Sequence, residues 1–444
     1  MLKKVIISLK SFNFGDIVKV ELKTILSVIL TVLILSGIGV SGASNNQQKR
    51  VIIKLRGEAT PEIIKTLTNH GAVVNHVYKT VPYVAVTISS GELQKIKKFS
   101  WVKAVYNDVK VKVLESTNET YPWNLDIIDA YKAWKLGTNG EYNGSGVYVA
   151  VIDSGLLVKW RNYLPEDRVD TKYAASFITP NLKPKRNWDK DRIGHGTLVA
   201  SIIIGYYYNG NLVSGVAPNA TIIPVRVIGN SGWGWLSDII AGIDYVTWLK
   251  MGGDLKDDPV IINLSIGVEE EIDSLRGAID QAIDNKIIVV TAAGNEGENG
   301  MVYPAAWNEC ISVGAVNWTA WNEIENYPLG GDVPEDYEEL KKQVEIWKLS
   351  SRAKSGQELD MVAPGAMIVG PYSNKPPYYY FVVGTSFAAP HVSGAVALML
   401  DKDPSLDQNQ VELKLKSSVI KLIETNSSVV GAGLINASLA VENC

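Results

Sequence analysis

Cysteine is scarce in this chain: two residues in 444, Cys310 and Cys444. Two are too few for a disulfide framework, and neither stands near other ligands at metal-binding spacing. Cys310 reads as a small core hydrophobe. Histidine is almost as rare, with His70, His76, His195 and His391 making up the set. A net charge of −4 lacks the basic excess of a nucleic-acid binder, so no nucleic-acid partner is expected. Only one long apolar run occurs, at 25–40, and nothing after it is long enough to span a bilayer. The pentapeptide Gly-x-Ser-x-Gly is missing, which removes the usual serine-esterase elbow. What remains is 46% hydrophobic and 20% charged, the composition of a globular chain with a sizeable core. The length suits about two to three domains.

Charge is unevenly placed. Residues 49–114 carry 12 Lys/Arg against 4 Asp/Glu, whereas the chain from 115 onward carries 26 against 41. A basic segment of domain size followed by an acidic body suggests two parts that attract each other. Before both, Lys19 and Lys23 precede the apolar run Ile25–Val40, and Ser41-Gly42-Ala43 follows it. A positive flank, an apolar stretch and a small-x-small exit form a secretory signal peptide over 1–43. Its uncleaved alternative is an anchor holding the protein at the outer face of the membrane; a membrane partner enters only in that case.

Within 49–114, Arg50–Leu55 reads as a strand, and Thr60 caps a helix opening at Pro61 and stopped by Gly71. Two strands, Ala72–Tyr78 and Tyr83–Ser89, are followed by a short helix at Gly91–Phe99. The alternating stretch Val102–Val113 closes the unit. The order β-α-β-β-α-β is ferredoxin-like and says nothing about function by itself.

From 115 to 444 the pattern changes. Short β-branched runs (Val147–Ile152, Thr221–Val227, Val260–Leu264, Ile287–Thr291, Cys310–Val316) alternate with helical stretches such as Leu236–Lys250 and Ile272–Asn285. The alternation predicts an α/β fold, a three-layer sandwich with a mostly parallel sheet. Chemistry in such sheets gathers at the carboxyl ends of the strands.

Four motifs lie at such places. Val149-Ala150-Val151-Ile152-Asp153-Ser154-Gly155 puts Asp153 at a strand end. Gly194-His195-Gly196-Thr197 precedes an apolar helical run, with glycines that let backbone approach the imidazole. Thr291-Ala292-Ala293-Gly294-Asn295 follows another strand. Gly384-Thr385-Ser386-Phe387-Ala388-Ala389-Pro390-His391 opens a helix, where backbone N–H groups and the dipole suit a developing oxyanion. Taken singly, each has an ordinary reading: loop aspartate, turn histidine, N-cap serine. Together they supply a nucleophile, a base (His195 or His391) and a carboxylate to orient it, plus an amide donor at Asn295.

On these residues the chain resembles the subtilisin-like serine proteases over roughly 50–440. The resemblance implies a serine endopeptidase with Asp153, His195 and Ser386 as catalytic triad, acting through an acyl-enzyme, and Asn295 as oxyanion donor. His391 becomes structural. The substrate would lie between two backbone segments, Ser265-Ile266-Gly267 on one side and Gly232-Trp233-Gly234 as an opposing strand, with Ala292 and Gly294 lining the cleft. Phe387 stands where the family usually has methionine. The basic unit resembles the family's propeptide, a folding aid and inhibitor, with self-cleavage expected after Leu114. The tail Val111-Lys112-Val113-Leu114 then implies a preference for apolar P1 residues in protein or peptide substrates. No cofactor is required for this chemistry; structural calcium is implied by the resemblance alone, since no loop shows a recognisable ligand spacing. An acidic insertion at about 317–350, holding Trp318, Trp321 and Trp347, departs from the family pattern and reads as a solvated surface addition.

Overall fold

A computed structural model describes residues 48–78, 82–108, 122–137, 142–178, 187–323 and 333–444. The signal segment 1–43 and the cleavage position Leu114 lie outside the described residues. The chain divides into two compact units, Met1–Glu115 and Ser116–Cys444.

In the first unit the elements run β1 (Gln48–Leu55), α1 (Pro61–Asn69), β2 (Val73–Val77), β3 (Tyr83–Ser89), α2 (Ser90–Ile96) and β4 (Val102–Asn107). The sheet order is β2-β3-β1-β4, with every pair antiparallel. Period-two alternation in β1 buries Val51, Ile53 and Leu55 on one face, where they meet Leu67 of α1 and Leu93 and Ile96 of α2. Each such side chain contributes roughly 1.5–3 kcal/mol by leaving water. Thr60 sits at the N-cap of α1, but its side chain makes no capping hydrogen bond. Pro61 accounts for this start, being pre-set for a helical first turn.

The second unit opens with α3 (Trp123–Asp126), α4 (Ala130–Trp134), β5 (Tyr148–Asp153), β6 (Ala175–Ser176) and α5 (His195–Ile204). There follow β7 (Tyr206–Tyr208), β8 (Asn211–Val213), β9 (Thr221–Arg226), α6 (Leu236–Met251), β10 (Val260–Leu264), α7 (Asp273–Asp284), β11 (Ile287–Ala292) and β12 (Ile311–Trp318). The last third contains α8 (Tyr337–Leu340), β13 (Val344–Ile346), β14 (Met361–Pro364), β15 (Ile368–Pro371), β16 (Tyr379–Val382) and α9 (Thr385–Lys402). It ends with α10 (Gln408–Ser417), β17 (Val419–Ile420), α11 (Ser427–Val430), β18 (Leu434–Ile435) and α12 (Ala437–Glu442).

The main sheet follows the order β17-β18-β14-β12-β11-β10-β5-β9-β6, with β13 added antiparallel to β12. All other neighbours except β17 and β18 are parallel. Its central strands are apolar on both faces, as a sheet covered twice requires. Val149, Val151, Ile261 and Val290 point into one core with α5 and α9. Ala150, Ile152, Ile262 and Val289 point into the other with α6 and α7. The three-layer α/β sandwich expected from the sequence is therefore present. Among the described residues no helix is long and apolar enough to cross a membrane.

Both cysteines are free; Cys310 is fully buried, as its apolar run predicts. The acidic insertion is more firmly tied down than a solvated addition. Trp318 is buried against Trp123, with ring centroids 5.9 Å apart, and its Nε1 donates to Gln343. The Tyr337 hydroxyl donates to Asp129 Oδ2 at 2.5 Å, which also accepts from Asn436 Nδ2. The three tryptophans carried the signal for this anchoring, because a purely solvated loop has no use for such area.

Candidate active site

Parallel strands align their carboxyl ends along one edge, and the singled-out residues sit there. Asp153 ends β5 and is 1% exposed. His195 opens α5, and its Nδ1 lies 2.9 Å from both Asp153 carboxylate oxygens. Two glycines make this approach possible. A Cβ on Gly196 would stand 2.5 Å from the Gly155 carbonyl and 3.2 Å from Asp153 Oδ1. Gly194, at φ +89°, has the Tyr372 carbonyl where its Cβ would be, at 2.2 Å.

Ser386 sits in the first turn of α9, after Gly384. Its hydroxyl donates to the Ser265 carbonyl at 3.0 Å, and the ring of the next residue, Phe387, lies 5.3 Å from His195. The hydroxyl proton is thus committed to the Ser265 carbonyl rather than to the imidazole, while Phe387 brings the start of α9 up to His195; catalytic hydrogen bonds commonly close only when substrate arrives. A proline inside α9 has a local consequence. Pro390 cannot donate the N–H that would meet the Ser386 carbonyl four residues back. Ser265 Oγ donates to that carbonyl instead, at 2.7 Å. Ser265 Oγ is itself held by Asn263 Nδ2, and Asn263 Oδ1 accepts from Ser393. The segment after β10 therefore fixes the serine's backbone.

Asn295 is exposed at the end of the β11 loop. Its Oδ1 accepts from both the backbone N–H (3.0 Å) and the hydroxyl (3.1 Å) of Thr385. The amide is thereby oriented, leaving Nδ2 as the donor end. Gly294 donates its N–H to Thr385 Oγ1, and Ala292 is buried at the end of β11. Ile266 is half-buried and Gly267 exposed. Gly232-Trp233-Gly234 belongs to no strand, contrary to expectation. The segment is a compact turn in which Gly229 N–H donates to the Trp233 carbonyl and Gly232 N–H to the Gly229 carbonyl. Glycine at 232 (φ +83°) favours that closure. Trp233 and Trp235 stand 76% and 78% exposed.

The two histidines of this unit are in opposite electrostatic settings. His391 is fully buried; Nδ1–H donates to the Phe387 carbonyl and Nε2 accepts from Asn124, both at 2.8 Å. Burial pulls its pKa down to about 4, so it is neutral and structural. At His195, burial also pulls down, but the Asp153 charge, the Asp153 hydrogen bond and the charge of Asp191 outweigh it and leave the pKa above its ordinary value. An imidazole that binds a proton more readily, with its partner carboxylate dry, suits a general base.

Sequence reading missed several supporting residues. Ser154, Asp191 and Arg226 are buried around Asp153 and His195, and Thr385 and Asn263 are buried around Ser386 and Asn295. Asp191 carried a weak signal, as a carboxylate four positions before His195. Among the described residues, no three His, Cys, Asp or Glu side chains come together as a metal site, so the calcium implied by resemblance has no such set there.

Comparison with known proteins shows the family. The sequence model described as "Subtilase family" matches residues 144–433. Subtilisin E of Bacillus subtilis (strain 168) is 32% identical over 381 residues, covering 85% of each chain. An alkaline protease of Alkalihalobacillus alcalophilus is 30% identical over 365 residues, covering 82% of this chain and 80% of that one. The minor extracellular protease Epr of Bacillus subtilis (strain 168) is 29% identical over 415 residues. The match takes in 90% of this chain but only 55% of Epr, so the chain spans about half the length of that relative.

Proposed function

The chain belongs to the subtilase family, and from that premise we propose that it is a serine endopeptidase, exported and made as a zymogen, with Asp153, His195 and Ser386 as its triad. The observation that carries the reading is the buried Asp153 carboxylate on His195 Nδ1, with the ring of Phe387, the residue after Ser386 in α9, 5.3 Å from the imidazole.

In this reading the Ser386 hydroxyl rotates from the Ser265 carbonyl toward His195. Its oxygen bonds to the scissile carbonyl carbon while Nε2 takes the proton. Asp153 keeps Nδ1 protonated and steadies the imidazolium. Negative charge moves onto the substrate oxygen, where the Ser386 backbone N–H and Asn295 Nδ2 donate. Collapse breaks the C–N bond, the amine leaves with the proton from Nε2, and water repeats the sequence on the acyl-enzyme. Phe387 in place of methionine gives His195 an aromatic neighbour without altering these roles.

Substrates are proteins or peptides, held as an added strand along Ser265-Ile266-Gly267, with Gly232-Trp233-Gly234 opposite and Ala292 and Gly294 lining the cleft. Apolar P1 residues are preferred, on the strength of the tail ending at Leu114. Residues 49–114 act as folding aid and inhibitor, released by self-cleavage. Segment 1–43 directs export, with an outer-face anchor as the alternative. The chemistry needs no cofactor, and any calcium serves structure alone.

The test uses the chain from residue 44, with and without a fluorophosphonate, beside a Ser386→Ala copy. The normal chain should lose a fragment ending near Leu114 and take the label at Ser386, and the mutant should do neither. A normal chain that stays whole and unlabelled would refute the proposal.

A further inference from the structure

One buried carboxylate near the site is not used by the steps above. Asp191 is 0% exposed, and among the described residues every hydrogen-bond partner of its side chain is a donor. The Ile193 N–H meets Oδ1 at 2.8 Å, the Gly194 N–H meets Oδ2 at 2.8 Å, and Ser154 Oγ donates to Oδ2 at 2.9 Å. Burial and the Asp153 charge push this carboxyl above the ordinary aspartate range, and the three donors work against that shift, toward the ionised form.

These partners bracket His195. Ile193 and Gly194 are the two residues before it. The residue after it, Gly196, donates its N–H to Ser154 Oγ at 3.0 Å, and the Ser154 hydroxyl in turn donates a hydrogen bond to Asp191. Ser154 also follows Asp153, and its N–H donates to Asp153 Oδ1 at 2.6 Å. One carboxylate therefore holds the turn carrying the imidazole from both sides and ties it to the loop carrying the first carboxylate.

Its charge is balanced from behind. Arg226 is 1% exposed, yet among the described residues its guanidinium donates to neutral acceptors: the Asn187 carbonyl at 2.8 Å, Asn230 Oδ1 at 2.7 Å and the Ile228 carbonyl at 3.4 Å. It stands near Asp191 and Asp189 without closing an ion pair on either. The groups facing His195 are Asp153 from β5, Asp191 from the loop before α5, and the uncharged Phe387 ring from α9. Tyr372, beside β15, is packed over Gly194; its phenol, pushed up to about 12 by burial and then by Asp153 and Asp191, is neutral.

We propose that Asp191 is a positioning residue for His195, one that fixes the imidazole-bearing turn and supplies a second negative charge near the ring. The inference rests on His195 being the base. Asp191→Asn keeps the shape and most of the backbone hydrogen bonds but removes the charge. With a p-nitroanilide peptide bearing Phe at P1, the acid limb of kcat/KM should move to lower pH by about half a unit or more, with KM within about two-fold. Removing a negative charge makes the imidazole harder to protonate, so the sign is fixed.

A second measurement needs no activity. In the full chain carrying Ser386→Ala, the His195 ring is titrated by NMR and assigned by its loss in a His195→Gln copy. Adding Asp191→Asn should lower its midpoint by a similar amount, and adding Arg226→Gln, which removes the counter-charge, should raise it. Opposite shifts in the two variants would support the assignment, and it stays readable if one variant fails to fold or if the chain proves not to be a protease. A His195 midpoint that stays put in the folded variants, or lost turnover without movement of the acid limb, would overturn it and leave Asp191 as a brace only.

Discussion

Acid should loosen the helix that carries Ser386, because His391 meets that helix as a buried neutral ring. Its two nitrogens are already committed: Nδ1–H to the Phe387 carbonyl, and Nε2 to the Asn124 amide. A further proton would have to sit on Nε2, facing a donor, with no water to solvate the charge. Burial lowers the pKa from the ordinary 6.5 to about 4, with the Phe387 carbonyl opposing. Between those values the unfolded chain takes up a proton that the native chain refuses, so stability falls as pH falls through that window. The shift of about 2.5 units corresponds to about 3 kcal/mol lost by about pH 4. Groups whose folded pKa is raised work in the opposite direction, the carboxyls of Asp191, Glu412 and Asp238 as well as the two that follow. His195 has a raised folded pKa, so its contribution is full below its unfolded value and is lost as pH rises through the folded one. Asp126, raised to about 6 by burial, is protonated in the native chain where the unfolded chain is ionised, and it too favours the fold as pH falls. A comparison with His391→Gln isolates the term. Both chains would carry Ser386→Ala to prevent digestion and would be unfolded in urea at about pH 7.5, 5.5 and 4. The normal chain's advantage over the variant should shrink by about 3 kcal/mol across the series. An advantage that stays constant to within about 1 kcal/mol would refute the reasoning.

Lys416 should be a second sensitive point. Its ammonium is held at 2.6–2.7 Å by Glu358, Asp360 and Glu412, joining α10 to the strand end at β14. Lys416→Met strands the buried Asp360 charge and should cost about 2–4 kcal/mol in urea unfolding at neutral pH. The loss should shrink on acidification, because Glu412, already raised by burial, is then protonated. Gly194→Ala places a methyl against the Tyr372 carbonyl at positive φ. It should lower stability by about 2 kcal/mol or more. It should also reduce kcat by shifting the turn next to His195, which steady-state kinetics on a folded sample would read.

Much of this was legible without coordinates. A run such as Val260–Leu264, short, apolar and rich in β-branched residues, reads as a strand covered on both faces, and it becomes β10 with unchanged ends. Pro61 and Gly71 punctuate α1 through their own backbone preferences, which neighbours do not alter. The motifs around Asp153, His195, Asn295 and Ser386 are short because each needs only a strand end or a helix start and small flanking residues. These properties depend on a few adjacent residues, so sequence alone determines them.

Tertiary structure decided the rest. Glycines and tryptophans at 232–235 resemble a strand by family register, but the local glycine conformation closes a turn instead. Trp318 and Tyr337 turn an acidic insertion into a docked one only because Trp123, Asp129 and Asn436 lie there to receive them. Above all, the roles of Ser154, Asp191 and Arg226 depend on contacts across 37 to 42 positions and between separate strands. The donors from Ile193 and Gly194 are local to Asp191, but Ser154 and the Arg226 charge reach it from the ends of other strands, and that convergence is a property of the packed chain.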